Sequence, residues 1–157
     1  MRLVLDCTVL SNFALIGRTN WLRQVWPDIL VTSEESWAEL QAGIQLGRLP
    51  STDWTWLTVL SLTEAEHAVR DELMPPLDRG EATCLALARS RGYAFLTDDR
   101  VARRETRRMG IPLSGTIGVL ISLVDEGYVS LEEANQALKQ MVALGYHSPV
   151  QSLSELK

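Results

Sequence analysis

Residues 2–17, RLVLDCTVLSNFALIG, decide the fold of this chain because they join a short buried strand to a helix. The apolar run of Leu3, Val4 and Leu5 ends at Asp6, which is the pattern of a strand covered on both faces. From Thr8 onward the apolar residues recur at helical spacing until Gly17 ends the helix. A strand followed at once by a helix predicts the first half of a βαβ unit.

The same alternation of strands and helices continues along the chain. Further strands are predicted at 29–31, 56–60, 93–97 and 111–113, and further helices at 21–26, 33–47, 63–74, 81–90, 98–109, 115–126 and 130–144. This alternation predicts an α/β protein, a three-layer α/β/α sandwich around a central, mainly parallel sheet of four to five strands. No linker interrupts the pattern. Residues 1–157 are therefore expected to form a single domain, with the C-terminal helices at about 115–145 packed on the same core.

Composition excludes several classes of protein. The chain has 157 residues, 46% of them hydrophobic, so intrinsic disorder is excluded. No apolar run approaches the ~18–20 residues of a membrane span. The apolar run at the N-terminus is too short for a secretory signal, so the protein is expected to be cytoplasmic. A net charge of −5 argues against a general electrostatic grip on nucleic acid.

Acidic residues in four segments of the chain occupy positions from which they can converge. Asp6 ends the first predicted strand, and Asp98 and Asp99 end the fourth. Glu81 and Glu39 lie beside the apolar stripes of their helices, where a carboxylate needs a partner. Each acid alone can serve as a helix cap or a solvated side chain. Together, at the carboxyl ends of parallel strands, they favour a site for a hard divalent cation.

Four short motifs carry a resemblance to a known family. They are residues 5–10 (LDCTVL), 37–40 (WAEL), 80–82 (GEA) and 96–100 (LTDDR). In this order they resemble the acidic motifs of the PIN-domain family, to which VapC-like toxin ribonucleases belong. Residues 110–120, GIPLSGTIGVL, are similar to an uncharacterised PIN subfamily with a Gly-Thr-x-Gly motif.

The resemblance implies a PIN-like fold and a metal-dependent endoribonuclease, the toxin of a toxin–antitoxin pair. Its implied catalytic acids are Asp6, Glu39, Glu81 and Asp99, and its implied ligands for Mg²⁺ or Mn²⁺ are Asp6, Glu81 and Asp99, with Asp98 as an adjacent candidate. Such an enzyme cleaves RNA with a metal-activated water and leaves 5′-phosphate and 3′-hydroxyl ends. Its implied partners are an RNA substrate and a cognate antitoxin protein.

A stripe of arginines follows the acidic strand end. It consists of Arg100, Arg103, Arg104, Arg107 and Arg108, at positions i, i+3, i+4, i+7 and i+8 of one helix. The arginine fork pairs with phosphate oxygens, so Arg100, Arg103, Arg104 and Arg107 are predicted to bind nucleic acid. Two other interpretations of the stripe remain open. It can be a solvated face paired with nearby acids, or a surface covered by an acidic protein.

Alternative functions remain open at this point. The chain can be a non-catalytic PIN-fold module that binds nucleic acid or protein, or another Mg²⁺-dependent phosphohydrolase. A phosphatase with an aspartate nucleophile usually has a second Asp two residues after the first, and Thr8 stands there. Trp54 and Trp56 alternate on a predicted edge strand, which is compatible with a homodimer interface.

Overall fold

The computed structural model describes residues 1–156 and contains a five-stranded parallel sheet. The strands are β1 (Leu3–Leu5), β2 (Leu30–Ser33), β3 (Thr58–Leu60), β4 (Ala94–Leu96) and β5 (Leu113–Ser114). They lie in the order β3-β2-β1-β4-β5, and every neighbouring pair is parallel. The predicted α/β fold is thereby confirmed.

Helices cover both faces of the sheet. They are α1 (Cys7–Leu15), α2 (Thr19–Val25), α3 (Glu34–Gln45), α4 (Glu64–Leu73), α5 (Arg79–Arg91), α6 (Arg100–Arg108), α7 (Thr116–Asp125) and α8 (Leu131–Ala143), followed by a 3₁₀ turn at Leu153–Leu156. Among residues 1–156, no helix combines the length and apolar character needed to cross a bilayer.

Strand alternation divides the core into two layers. Leu5, Leu30 and Leu96 face the larger layer, which includes buried residues of α1, α7 and α8. Val4 and Phe95 face the other layer, which is built largely from α5. The helices at the end of the chain therefore pack on the same core as α1.

Short-range hydrogen bonds mark the starts of α4 and α8, two helices that begin within one residue of their predicted positions. Thr63 and Glu66 form a capping box at the start of α4, and Ser130 and Glu133 form one at the start of α8. In each box the hydroxyl accepts a hydrogen bond from a backbone N–H, while the glutamate accepts one from the N-cap residue.

Four strands differ from their predicted limits: β2 is Leu30–Ser33 instead of 29–31, β4 is Ala94–Leu96 instead of 93–97, and β3 and β5 both begin two residues later than predicted. The prediction of a strand from residue 56 was wrong by two residues, because Asp53 Oδ1 accepts the Thr55 N–H at 3.0 Å and forms a turn there. Trp54 is buried in this turn rather than exposed on an edge strand, and its ring centroid lies 5.7 Å from that of Trp56. Strand β5 starts at Leu113 instead of residue 111, and Pro112 has no N–H to donate to a sheet.

The strand order determines where a ligand can bind. From β1 the chain proceeds through β2 to β3 on one side, then returns to β4 and β5 on the other. The switch point therefore lies at the carboxyl ends of β1 and β4, which is where open parallel sheets bind their ligands. Asp6 follows β1 directly, and Thr97, Asp98 and Asp99 follow β4.

Candidate functional site

Asp6 occupies the centre of the switch point and is 1% exposed. Its Oδ1 accepts hydrogen bonds from the Thr8 N–H at 3.0 Å and the Thr8 hydroxyl at 2.5 Å, and its Oδ2 accepts one from the Thr97 hydroxyl at 2.5 Å. Burial nevertheless raises the pKa of Asp6 to about 7, because these hydrogen bonds only partly offset the loss of solvent. A buried carboxylate with this pKa is a strong candidate for cation binding or proton transfer.

Glu81, on the first turn of α5, is half-buried near three other carboxylates. Burial, together with the charges of Asp78, Asp99 and Asp6, raises the pKa of Glu81 to about 8. The fold thus brings together acids from the end of β1, the end of β4 and the start of α5. Their mutual repulsion favours either a bound proton or a bound cation.

Glu39, on α3, lies at the outer side of this group. Its carboxylate packs directly over Gly80, the residue before Glu81. Burial raises the pKa of Glu39, and so does the charge of Asp78. Glu39 is therefore adjacent to the start of α5, as the predicted site requires.

Asp78 is an acid of this group that the sequence analysis did not select. Its Oδ1 caps α5 by accepting the Glu81 N–H at 2.9 Å. Its charge acts on both Glu39 and Glu81, so it connects the outer and inner acids. An aspartate three residues before a helical glutamate indicates an N-cap. That local explanation does not indicate the effect of Asp78 on the neighbouring acids.

The two aspartates after β4 differ in their surroundings. Asp98 accepts hydrogen bonds from the Thr116 N–H at 2.8 Å, from the Thr116 hydroxyl, and from Asn12 Nδ2 at 3.0 Å. Asp99 caps α6 by accepting the Ala102 N–H at 2.9 Å. Asp99 raises the pKa of Glu81. Asp98 thus connects β4 to α1 and α7, and Asp99 is the better candidate for the acidic site.

The donor set of this site fits Mg²⁺ or Mn²⁺ by its chemistry. All of the side chains that converge on Glu81 are carboxylates, the hard oxygen ligands that these cations prefer. Within residues 1–156, no three acidic, histidine or cysteine side chains are close enough to form a ready-made metal cage. Mg²⁺ retains several waters and commonly uses only one or two carboxylates, so a full protein cage is not required.

The Gly-Thr-x-Gly sequence allows close packing beside Asp98. A Cβ at Gly115 would lie 2.6 Å from Asp98 Oδ1 and 2.8 Å from Arg103 Nη1. A Cβ at Gly118 would collide with the Ser114 hydroxyl. Both glycines are therefore needed for the start of α7 to approach the end of the sheet.

The arginine stripe of α6 divides into two parts. Arg103 Nη1 donates hydrogen bonds to the carbonyl oxygens of Thr97 at 2.9 Å and Ser114 at 3.0 Å, so it joins the ends of β4 and β5. Arg104 and Arg108 lie 3.6 Å and 3.2 Å from Glu105 Oε1. Arg104 and Arg108 thus agree with the interpretation of a face paired with nearby acids, whereas the helical spacing does not indicate the carbonyl partners of Arg103.

Arg100 and Arg107 belong to a different environment. They line a cavity of about 480 Å³ between α6, the start of α7 and residues 146–149, and Arg103 and Asp98 lie in its wall. Within residues 1–156, neither Arg100 nor Arg107 forms a salt bridge. Fewer arginines of α6 are therefore available to bind a ligand than the five of the predicted stripe.

Comparisons with known proteins agree with this architecture. The family model DUF3368, described as a PIN domain, matches residues 2–157. The crystal structure of PAE2754 from Pyrobaculum aerophilum is similar, with a TM-score of 0.57 and 17% sequence identity over 80% of this chain and 90% of that one. At this identity the likeness shows the fold alone. No curated protein matches the chain.

Proposed function

The chain belongs to the PIN domain family, and from this premise we propose that it is a Mg²⁺- or Mn²⁺-dependent endoribonuclease, the toxin of a toxin–antitoxin pair. The observation that carries the proposal is the convergence of carboxylates at the switch point. Asp6, Asp78 and Asp99 all raise the pKa of Glu81. Such repulsion at a ligand-binding edge is the signature expected of a cation site.

Each acid has a distinct part in the proposed site. Asp6, Glu81 and Asp99 would hold the cation, which when bound neutralises phosphodiester charge and activates water. Asp6 is oriented by the hydroxyls of Thr8 and Thr97. Glu39 lies at the exposed side, where its carboxylate can accept a proton.

The partners follow from the same proposal. RNA is the substrate, and its phosphates bind beside the acids through the cations of α6. A cognate antitoxin blocks the site, and an acidic segment of it competes with RNA for the same arginines. Arg100 and Arg107 are the exposed arginines placed for either contact.

Cleavage of labelled single-stranded RNA tests the proposed function. We expect wild-type protein to cut RNA in Mn²⁺ or Mg²⁺ and to stop when EDTA removes the cation. The products should carry 5′-phosphate ends, which a 5′-phosphate-dependent exonuclease detects. A small phosphomonoester, offered under the same conditions, should remain intact.

Three outcomes would contradict the proposal. Equal cleavage with and without EDTA would exclude the metal-dependent mechanism. RNA that binds but stays intact with every cation would favour the non-catalytic module, and hydrolysis of the phosphomonoester alone would favour another phosphohydrolase.

Gly80→Ala is expected to impair cleavage without destabilising the protein. The new Cβ would lie 3.0 Å from Glu39 Cδ and closer still to its Oε1, so the carboxylate must move. Alanine favours a helix over glycine by about 1 kcal/mol, so the free energy of unfolding should stay equal or rise. Changes to the groups that support metal ligands lower metal affinity or activity about 10–100-fold. We therefore expect kcat/KM to fall about tenfold.

The matched control is Gly43→Ala on α3. A Cβ at Gly43 would meet only the Leu49 side chain, at 3.0 Å, and none of the acids. Urea unfolding and Mn²⁺-dependent cleavage are measured for both variants. Wild-type cleavage by Gly80→Ala would show that the position of the Glu39 carboxylate does not matter.

A further inference from the structure

A cationic cavity lies beside the acidic site and is lined by none of the proposed metal ligands Asp6, Glu81 and Asp99. It has a volume of about 480 Å³, within the range of sites that hold small organic ligands. One wall is α6 with Arg100 and Arg107, another is the start of α7, and the third is the segment that follows α8, residues 146–149. Three separate parts of the chain thus enclose this space. None of the contacts described above depends on it.

The charge inside this cavity is unbalanced. Asp98 and Arg103 compensate each other, because Arg103 lowers the pKa of Asp98 that burial raises. Arg103 is also bound to two carbonyl oxygens at the ends of β4 and β5. Arg100 and Arg107, one at each end of the α6 face, contribute positive charge without a salt bridge among residues 1–156. The cavity therefore favours an anion.

The remaining wall carries the rings of Tyr146 and His147. Tyr146 is half-buried, and His147 and Pro149 are exposed at the opening. Aromatic rings on one side and arginines on the other are the two features that bind single-stranded nucleic acid, the rings by stacking and the arginines through phosphate. An acidic protein segment would use the arginines but would have no need of the rings.

The cavity also has a direct connection to the acids. The Asp98 N–H donates to the Thr8 hydroxyl at 2.9 Å, and that hydroxyl donates to Asp6 Oδ1 at 2.5 Å. Asp98 lines the cavity, so the two sites share a wall. The cavity therefore adjoins the end of the sheet at which the acids lie.

We propose that this cavity binds one nucleotide of single-stranded RNA next to the scissile bond, with its phosphate on Arg100 and Arg107 and its base against Tyr146 and His147. The proposal rests on the proposed function, since it specifies how the RNA substrate is held. It assigns to residues 146–149 a role in substrate binding that none of the acidic motifs predicts.

Binding of a fluorescent single-stranded RNA octamer, measured in EDTA so that no cleavage occurs, tests this site. Arg107→Gln is expected to weaken binding about tenfold and to reduce the slope of log K against log salt by about 1, since it removes a phosphate contact. Arg108→Gln is the matched control, since it makes the same change on the same helix at a residue that is 71% exposed and paired with Glu105. It should bind like wild type.

The base contact has its own variant. His147→Ala should weaken the octamer about tenfold, because stacking on one base is worth about that much. His67→Ala on α4, at a residue that does not line the cavity, should have no effect. Equal losses in Arg107→Gln and Arg108→Gln, or no loss in His147→Ala, would overturn the proposal.

The same measurements separate this site from the proposed function. If wild-type protein fails to cleave but binds RNA in an Arg107- and His147-dependent manner, the enzyme proposal fails and the cavity stands. If it cleaves while Arg107→Gln and His147→Ala bind normally, the cavity proposal fails alone. An oligoglutamate peptide that displaces RNA and is insensitive to His147→Ala would assign the cavity to an acidic protein instead.

Discussion

Asp6→Asn is expected to abolish metal-dependent RNA cleavage while the fold remains intact. Asp6 is the most buried acid of the site and the one that follows the central strand β1. Removing a group that only supports a metal ligand lowers metal affinity or activity about 10–100-fold. Loss of the Asp6 carboxylate itself should therefore lower kcat/KM by more than about a hundredfold. Asparagine has the same size and keeps an acceptor for the Thr8 N–H.

Stability is the internal control for this variant. Removing a buried carboxylate also removes the cost of burying its charge, so metal-free Asp6→Asn should unfold at the same or a higher urea concentration than wild type. Asp28→Asn provides a matched substitution before β2, away from the carboxyl ends of the strands. Asp28 has a φ of 66°, which asparagine also tolerates. Cleavage by Asp6→Asn at the wild-type rate would exclude the proposed mechanism.

Local sequence signals predicted most of the scaffold. The alternation of strands and helices predicted the parallel sheet, and the helices predicted from residues 63 and 130 begin one residue later, after the N-caps Thr63 and Ser130. The acids at the ends of β1 and β4 could be placed together for the same reason, since carboxyl ends of parallel strands share one edge. These features depend on neighbours close in sequence or on a general rule of topology.

The surroundings of individual polar side chains were not predictable in this way. Helical spacing placed five arginines on one face, but Arg103 is held by the carbonyl oxygens of Thr97 and Ser114 on two strands. Likewise, no local pattern indicates that Asp98 will meet Asn12 and Thr116. Such contacts join segments far apart in the chain, so only the assembled fold determines them.

The electrostatic role of Asp78 was not predicted from the sequence, for a different reason. A residue with one sufficient local explanation, here the cap of α5, gives no reason to search for a second. The assembled structure shows that its charge also acts on Glu39 and Glu81. Acidic caps next to other candidate acids are therefore worth testing as members of a site.

Metal-free protein is expected to lose stability as the pH rises from about 5 to about 8. The pKa of Asp6 rises from 3.8 to about 7 on folding, and that of Glu81 rises from 4.5 to about 8, chiefly through burial. Over this range the folded state holds protons that the unfolded state has released. The stabilisation from these protons is complete below the unfolded values and disappears as the pH passes the folded values.

Glu66 gives stability the opposite dependence on pH and determines where stability is lost in acid. Arg91 lowers the pKa of Glu66 to about 2 through a hydrogen-bonded ion pair at 2.8 Å. Its stabilisation is present above the unfolded value and is lost as the pH falls toward 2. Metal-free protein should therefore be most stable near pH 4 to 5, and less stable on either side.

Divalent cation should reverse the alkaline loss. A cation replaces the protons that the acids would otherwise hold, so its stabilising effect should grow from pH 5 to pH 8. Urea unfolding at both pH values, in EDTA and in Mg²⁺, measures this directly. A pKa unit corresponds to about 1.4 kcal/mol, so the roughly two pH units between 5 and the folded pKa of Asp6 give a loss of about 3 kcal/mol in EDTA. Half-buried Glu81 adds a smaller loss, because solvent screens its charge. Asp6→Asn should show a smaller loss between the two pH values, and an unchanged loss in that variant would assign the pH dependence to other groups.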